Sequence, residues 1–161
     1  MGNRKILNAT EVSHEGLKFK SKLERYCYLQ LTKEGFNPSY ETFKMTLFES
    51  FRPTNIINID NFNSNKRKAF SKYEEIIAKD IMIDNRIIGD ITYTPDFTFY
   101  YKDYFIIIET KGFANDSFPN KKKYALKQLE EIASKEDKKI MFIEIRNQTQ
   151  VREIIKFIKT L

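Results

Sequence analysis

The densest run of aromatic and β-branched residues falls at 97–108, broken once by the polar pair Lys102-Asp103. That composition predicts two strands joined by a turn. Elsewhere the apolar period changes. Leu23, Tyr26, Cys27 and Leu31 recur at three- and four-residue steps, which predicts a helix that Ser21-Lys22-Leu23-Glu24 would open as a capping box and Gly35 would stop. In that box Glu24 turns back to the Ser21 amide. Residues 40–48 alternate as a first strand, and 139–145 are apolar on both faces, as a buried strand requires. Ala125, Leu129, Ile132 and Ala133 mark a second helix, capped by Ser117 or Asn120, and Val151, Ile154, Ile155, Ile158 and Leu161 mark a third over 148–161.

The remaining segments are read from weaker signals. Residues 1–16 show no period and are expected to form an irregular arm, in which Arg4 and Lys5 could touch a phosphate backbone. Arg52-Pro53-Thr54 and the Asn-rich 59–65 predict a long loop. Lys66-Arg67-Lys68 then opens a helical pattern through Phe70, Tyr73, Ile76 and Ile77. Residues 81–83 and 86–88 flank Asp84-Asn85 as a hairpin. The resulting architecture is α/β: a mixed, mostly antiparallel sheet, meandering to 109–111, with helices on both faces. A strand after the second helix would pair parallel to the strand before it.

One polar cluster interrupts the central strands. Side chains two apart on a strand share a face, so Glu109 and Lys111 project together while Thr110 points away. A hairpin through 97–109 sets Asp96 opposite the end of the second strand, and two carboxylates and an ammonium converge at one sheet edge. Buried carboxylates need compensation. A structural ion pair is one answer; a divalent cation is the favoured one, with Asp96, Glu109 and the Thr110 carbonyl as hard oxygen ligands suited to Mg²⁺. Lys111 would then hold or deprotonate a water nucleophile. Asp90 is at most a supporting residue.

Composition narrows the alternatives. The chain has 161 residues, enough for one domain with a sizeable core, and 41% hydrophobic and 31% charged residues place it among globular proteins. A net charge of +6 fits a polyanionic partner. The single Cys27 excludes an intramolecular disulfide and a multi-cysteine zinc site, and the lone His14 leaves little for a histidine-based mechanism. No apolar run reaches the ~20 residues needed to span a bilayer. The start at Met1 also lacks a secretory core, so a cytoplasmic setting without membrane attachment is expected. Lys121, Lys122 and Lys123 stand in the first turn of the second helix, where cations oppose the dipole; a bound phosphate would explain them. Lys121 and Lys123 are the ones favoured for contact with a phosphate strand. Lys66, Arg67 and Lys68, interleaved with Phe70 and Tyr73, could follow a nucleic-acid backbone.

Pro95-Asp96 followed by Glu109-Thr110-Lys111 resembles the signature of the PD-(D/E)XK nuclease superfamily. With 19–26, 91–97 and 108–113 followed by the lysines at 121–123, the chain is similar to a phage and prophage family of small endonucleases related to endonuclease I-type Holliday junction resolvases. Residues 48–78 have no counterpart. The resemblance implies a restriction-endonuclease-like core, one nuclease domain over 1–161 with a variable insert at about 49–78. It further implies Mg²⁺-dependent cleavage of DNA, with Mn²⁺ able to substitute, on branched substrates and by a homodimer. It also brings Glu24, on the first helix, to the metal site beside Asp96, Glu109 and Thr110, and for a phage-encoded protein it implies the host bacterial cytoplasm. A non-catalytic nucleic-acid binder on the same fold predicts a degenerate triplet, whereas this one is intact; a phage protein-interaction module would make the basic balance incidental.

Overall fold

The computed structural model describes residues 11–14, 16–63, 70–112 and 117–161. In chain order the elements are β1 (Val12–His14), β2 (Leu17–Phe19), α1 (Lys22–Lys33), β3 (Ser39–Tyr40), β4 (Met45–Phe48), β5 (Ile59–Asn61), β6 (Glu74–Ala78) and β7 (Ile81–Asp84). They continue with β8 (Ile91–Tyr93), β9 (Phe97–Tyr101), β10 (Tyr104–Thr110), α2 (Phe118–Glu136), β11 (Lys139–Ile145) and α3 (Gln148–Thr160). The architecture is mixed α/β. The chain divides into two units, Met1–Met45 with Tyr93–Leu161, and Thr46–Thr92.

The first unit is built on a four-stranded sheet in the order β11-β10-β9-β3. β9 and β10 pair antiparallel from Tyr101 opposite Tyr104 to Phe97 opposite Ile108, across a turn in which Lys102 takes a left-handed φ of 49°. β11 returns parallel to β10, with Tyr104 opposite Lys139 and Thr110 opposite Ile145. The intervening α2 supplies the crossover that parallel pairing requires.

Alternation then sorts the side chains. Phe97, Phe99, Ile106, Ile108, Ile143 and Ile145 share one core with Cys27 and Leu31 of α1 and Val151, Ile155 and Ile158 of α3. The opposite parity, Thr98, Tyr100, Phe105 and Ile140, lines an open cleft of about 410 Å³ with Leu129 and Ile132 of α2. Helices therefore cover both faces. Ile106, Ile107 and Ile108 have no exposure, so the strand is apolar on either side at about 1.5–3 kcal/mol of burial per residue. That buried strand carries Glu109 next.

α1 follows the sequence pattern closely. Ser21 Oγ accepts from Glu24 N at 3.1 Å, and the helix ends in a Schellman motif with Gly35 at φ 86°, Gly35 N donating to Thr32 O and Phe36 N to Leu31 O. Ser117 holds the N-cap position of α2 without a side-chain capping bond, and Asn120 lies inside the helix. No described helix is long and apolar enough to cross a membrane.

Several expectations are corrected. Part of the expected N-terminal arm is a hairpin, β1 with β2, turned by Gly16 at φ 84°; Arg4 and Lys5 lie outside the described residues. The strand expected over 40–48 splits into β3 and β4 because Glu41 adopts φ 50°. The core sheet is not a meander of consecutive hairpins, since β8 pairs with β4 instead.

The second unit contains a three-stranded antiparallel sheet in the order β5-β7-β6. The expected loop at 59–65 thus contains a strand, and of the helical pattern expected through Phe70, Tyr73, Ile76 and Ile77, the last two lie in strand β6 and the first two precede it outside any helix. β6 reaches β7 through a turn with Asp80 at φ 59° and carries an irregularity between Ile76 and Ala78. Lys66, Arg67 and Lys68 lie outside the described residues. Residues 86–88 do not pair with β7 either. Asp84 Oδ1 accepts from both Arg86 N and Arg86 Nε, which curls the chain locally, and Ile88 bridges to Phe51.

Candidate active site

The sheet register sets the site. Asp96 precedes Phe97, which pairs with Ile108, so Asp96 stands across from Glu109; Glu109 in turn pairs with Glu144 on β11. The three residues thus occupy neighbouring backbone positions at one end of the sheet. Glu24 of α1 belongs to the same neighbourhood, its charge acting on Asp96 and Cys27. Glu24, Asp96 and Glu109 are 6%, 8% and 2% exposed, a degree of burial that carboxylates tolerate only with partners.

Each has protein partners. Asp96 Oδ2 accepts from Thr110 N at 2.6 Å and from Thr110 Oγ1 at 2.7 Å. Glu109 Oε2 accepts from the Tyr93 hydroxyl at 2.7 Å, and its Oε1 pairs with Lys111 Nζ at 2.5 Å. The Lys111 ammonium also lies 4.5 Å from the centre of the Phe118 ring. Glu24 Oε2 accepts from Lys20 N at 2.8 Å and the Tyr40 hydroxyl at 2.6 Å. The capping box is therefore altered: Glu24 turns to the Lys20 amide, not the Ser21 amide.

These contacts leave charge unbalanced. Burial, then the charge of Glu109, pushes the Asp96 carboxyl up to about 7, against the hydrogen bonds from Thr110 that favour its ionised form. Burial, then Glu109, raises the Tyr93 phenol, and burial with the Glu24 hydrogen bond raises Tyr40, so both remain donors to their carboxylates. Among the described residues no three metal-ligating side chains already converge on one point, since each is turned onto a neighbour. The donor set nevertheless suits Mg²⁺: hard carboxylate oxygens, buried, with more negative charge than Lys111 cancels.

The structure thus brings Asp96, Glu109, Thr110 and Lys111 together, with Glu24 beside them. Of the basic residues expected to meet DNA, Lys123 is exposed and Lys121 half-buried at the start of α2, while Lys122 turns to Glu144 Oε2 at 2.7 Å. Arg146 takes the other oxygen of Glu144 at 2.6 Å. Sequence reasoning passed over Tyr40, Tyr93, Glu144 and Arg146, and it read Lys122 as a phosphate contact without its tie to Glu144. A signal for Glu144 and Arg146 was present: Glu144-Ile145-Arg146 repeats the acid-x-base pattern of Glu109-Thr110-Lys111, and the parallel register aligns the two triplets. Nothing in the local sequence ties Tyr93 to Glu109, sixteen residues on.

No family model, no curated protein and no solved structure matches this chain.

Proposed function

We propose that the protein is a metal-dependent nuclease that hydrolyses DNA phosphodiester bonds, with the restriction-endonuclease-like core of the PD-(D/E)XK superfamily. The observation that carries the reading is the buried meeting of Asp96, Glu109 and Lys111 at one strand end. The connectivity supports the fold assignment: a helix, three antiparallel strands β3, β9 and β10, a second helix, and β11 parallel beside β10.

Asp96 and Glu109, with the Thr110 carbonyl and Glu24, would hold Mg²⁺ or Mn²⁺. When bound there, the ion supplies Lewis-acid charge to the phosphoryl oxygens and lowers the pKa of a water. Tyr93 and Tyr40 fix the rotamers of Glu109 and Glu24, and Thr110 fixes Asp96, so the acidic groups are positioned before substrate arrives. Lys111, the partly exposed member, holds the attacking water against the phosphate. The water oxygen bonds to phosphorus as the bond from phosphorus to the sugar oxygen breaks; the water's proton passes to solvent, and the departing sugar oxygen takes a proton from a second water. Lys121 and Lys123 contact the cleaved strand. A homodimer would set two such sites on two strands of a junction.

The test is incubation of the purified protein with supercoiled, linear and four-way-junction DNA in Mg²⁺, Mn²⁺ or EDTA. Cleavage that needs the ion is expected. Folded protein that binds DNA yet cuts none of these would reduce the reading to a nucleic-acid binder.

A further inference from the structure

Lys122, Glu144 and Arg146 form a cluster that the proposed chemistry leaves unused. Glu144 sits on the same face as Glu109 and one strand away, and both its oxygens are engaged, Oε2 by Lys122 and Oε1 by Arg146. One cation suffices to neutralise one carboxylate. Two leave the cluster with a net positive charge. Its carboxylate side chain is 14% exposed, whereas Lys122 and Arg146 are 33% and 56% exposed, so the carboxylate is inside and the donors outside.

The cations are also held in place. Lys122, the fifth residue of α2, is tied to Glu144 Oε2 at 2.7 Å. Arg146 is fixed at the start of α3, its backbone N donating to Gln150 Oε1 at 2.6 Å. One guanidinium nitrogen is spent on Glu144, leaving further donors of the planar fork to face outward. Lys111 N donates to Ile145 O at 2.7 Å, which locks the two acid-x-base triplets together. Pre-oriented donors lose less freedom on binding, and that favours a fixed anionic ligand.

We infer that Lys122 and Arg146, braced on Glu144, are a cradle for a DNA backbone phosphate one strand over from Glu109, beside the bond to be cut. The inference rests on the nuclease reading for its ligand. It adds Lys122 and Arg146 to Lys121 and Lys123 as residues that set the DNA strand across the site, with Glu144 as their positioning residue.

The experiment measures binding of a fluorescent four-way junction and of a duplex in EDTA across a salt series. The double variant Lys122→Ala/Arg146→Ala should lower the steepness of log K against log salt by about 0.9, the loss of one phosphate contact, and each single variant should lower it by part of that. Lys156→Ala, on the exposed side of α3, should leave it unchanged. Glu144→Gln removes the charge that offsets the two cations while keeping a side-chain oxygen to brace them, and should tighten binding without lowering the slope. Unchanged slopes in folded Lys122→Ala and Arg146→Ala overturn the cradle, as does a Glu144→Gln protein with wild-type affinity, because the cations then serve only the carboxylate. Cleavage in Mg²⁺ is scored separately. Reduced slopes without cleavage keep the cradle and remove the hydrolase, cleavage with unchanged slopes does the reverse, and a wild-type protein that binds no DNA removes both.

Discussion

Replacing Asp96 by Asn should stabilise the metal-free protein near neutral pH. The Asp96 carboxyl is raised by burial and by Glu109 from 3.8 to about 7. Its folded value lies above its unfolded value, so its contribution to stability is complete below about pH 4. That contribution is lost progressively as pH rises to about 7, and the loss is constant beyond. At about 1.4 kcal/mol per pH unit, the interval from 3.8 to about 7 bounds the cost of ionising Asp96 at about 4 kcal/mol. Both Thr110 hydrogen bonds fall on a single oxygen, Oδ2, which an Asn carbonyl can replace. The preference of those two bonds for the ionised form already opposes the upward shift and is included in it. Asp96→Asn should therefore gain up to about 4 kcal/mol at about pH 8, or roughly 8–16 °C in Tm for a chain of this size. Urea and thermal unfolding in EDTA at about pH 5 and pH 8 measure it. Mg²⁺ should stabilise the wild type at the higher pH and leave the variant unmoved, since only the ionised carboxylate gains a ligand. A wild type whose stability does not change over this pH range, together with an Asn variant no more stable than it, would refute the reasoning.

Other substitutions probe separate parts. Glu109→Gln and Lys111→Ala should abolish cleavage while leaving junction affinity in EDTA largely intact; a matching loss of affinity, with loss of folded signal, would instead place them in the fold. Tyr93→Phe removes the hydroxyl that holds Glu109 Oε2 and should weaken Mn²⁺ binding by about tenfold, as read by titration calorimetry. Gly35→Ala forces a side chain onto φ 86° and should cost about 1 kcal/mol in urea unfolding with no change in DNA affinity.

Where the sequence was legible, local and tertiary preferences agreed. The 97–108 run is aromatic and β-branched, its turn is polar, and the hairpin formed in the expected register; α1, α2, β11 and α3 followed their apolar patterns, and α1 also its Ser21 cap and Gly35 stop. Asp96, Glu109 and Lys111 were legible because a hairpin's register alone brings them together. The failures have different causes. Tyr73, Ile76 and Ile77 satisfy a helical period, but pairing of 74–78 with β7 across Asp80 decided for a strand that takes in Ile76 and Ile77. The split at Glu41 needed a left-handed residue that nothing in its type announces. Tyr93 and Glu144 joined the site through β8 and through parallel pairing, contacts that no short window of sequence contains.

Cys27 has no exposure, and burial, then Asp96 and Glu24, raises its thiol far above the ordinary range. An alkylating reagent should therefore ignore the native protein, and modification should occur only in molecules where α1 has lifted from the sheet. As the sole thiol in the chain, it is a built-in clock for that opening. If Mg²⁺ binds at Asp96, adding the ion should slow the clock.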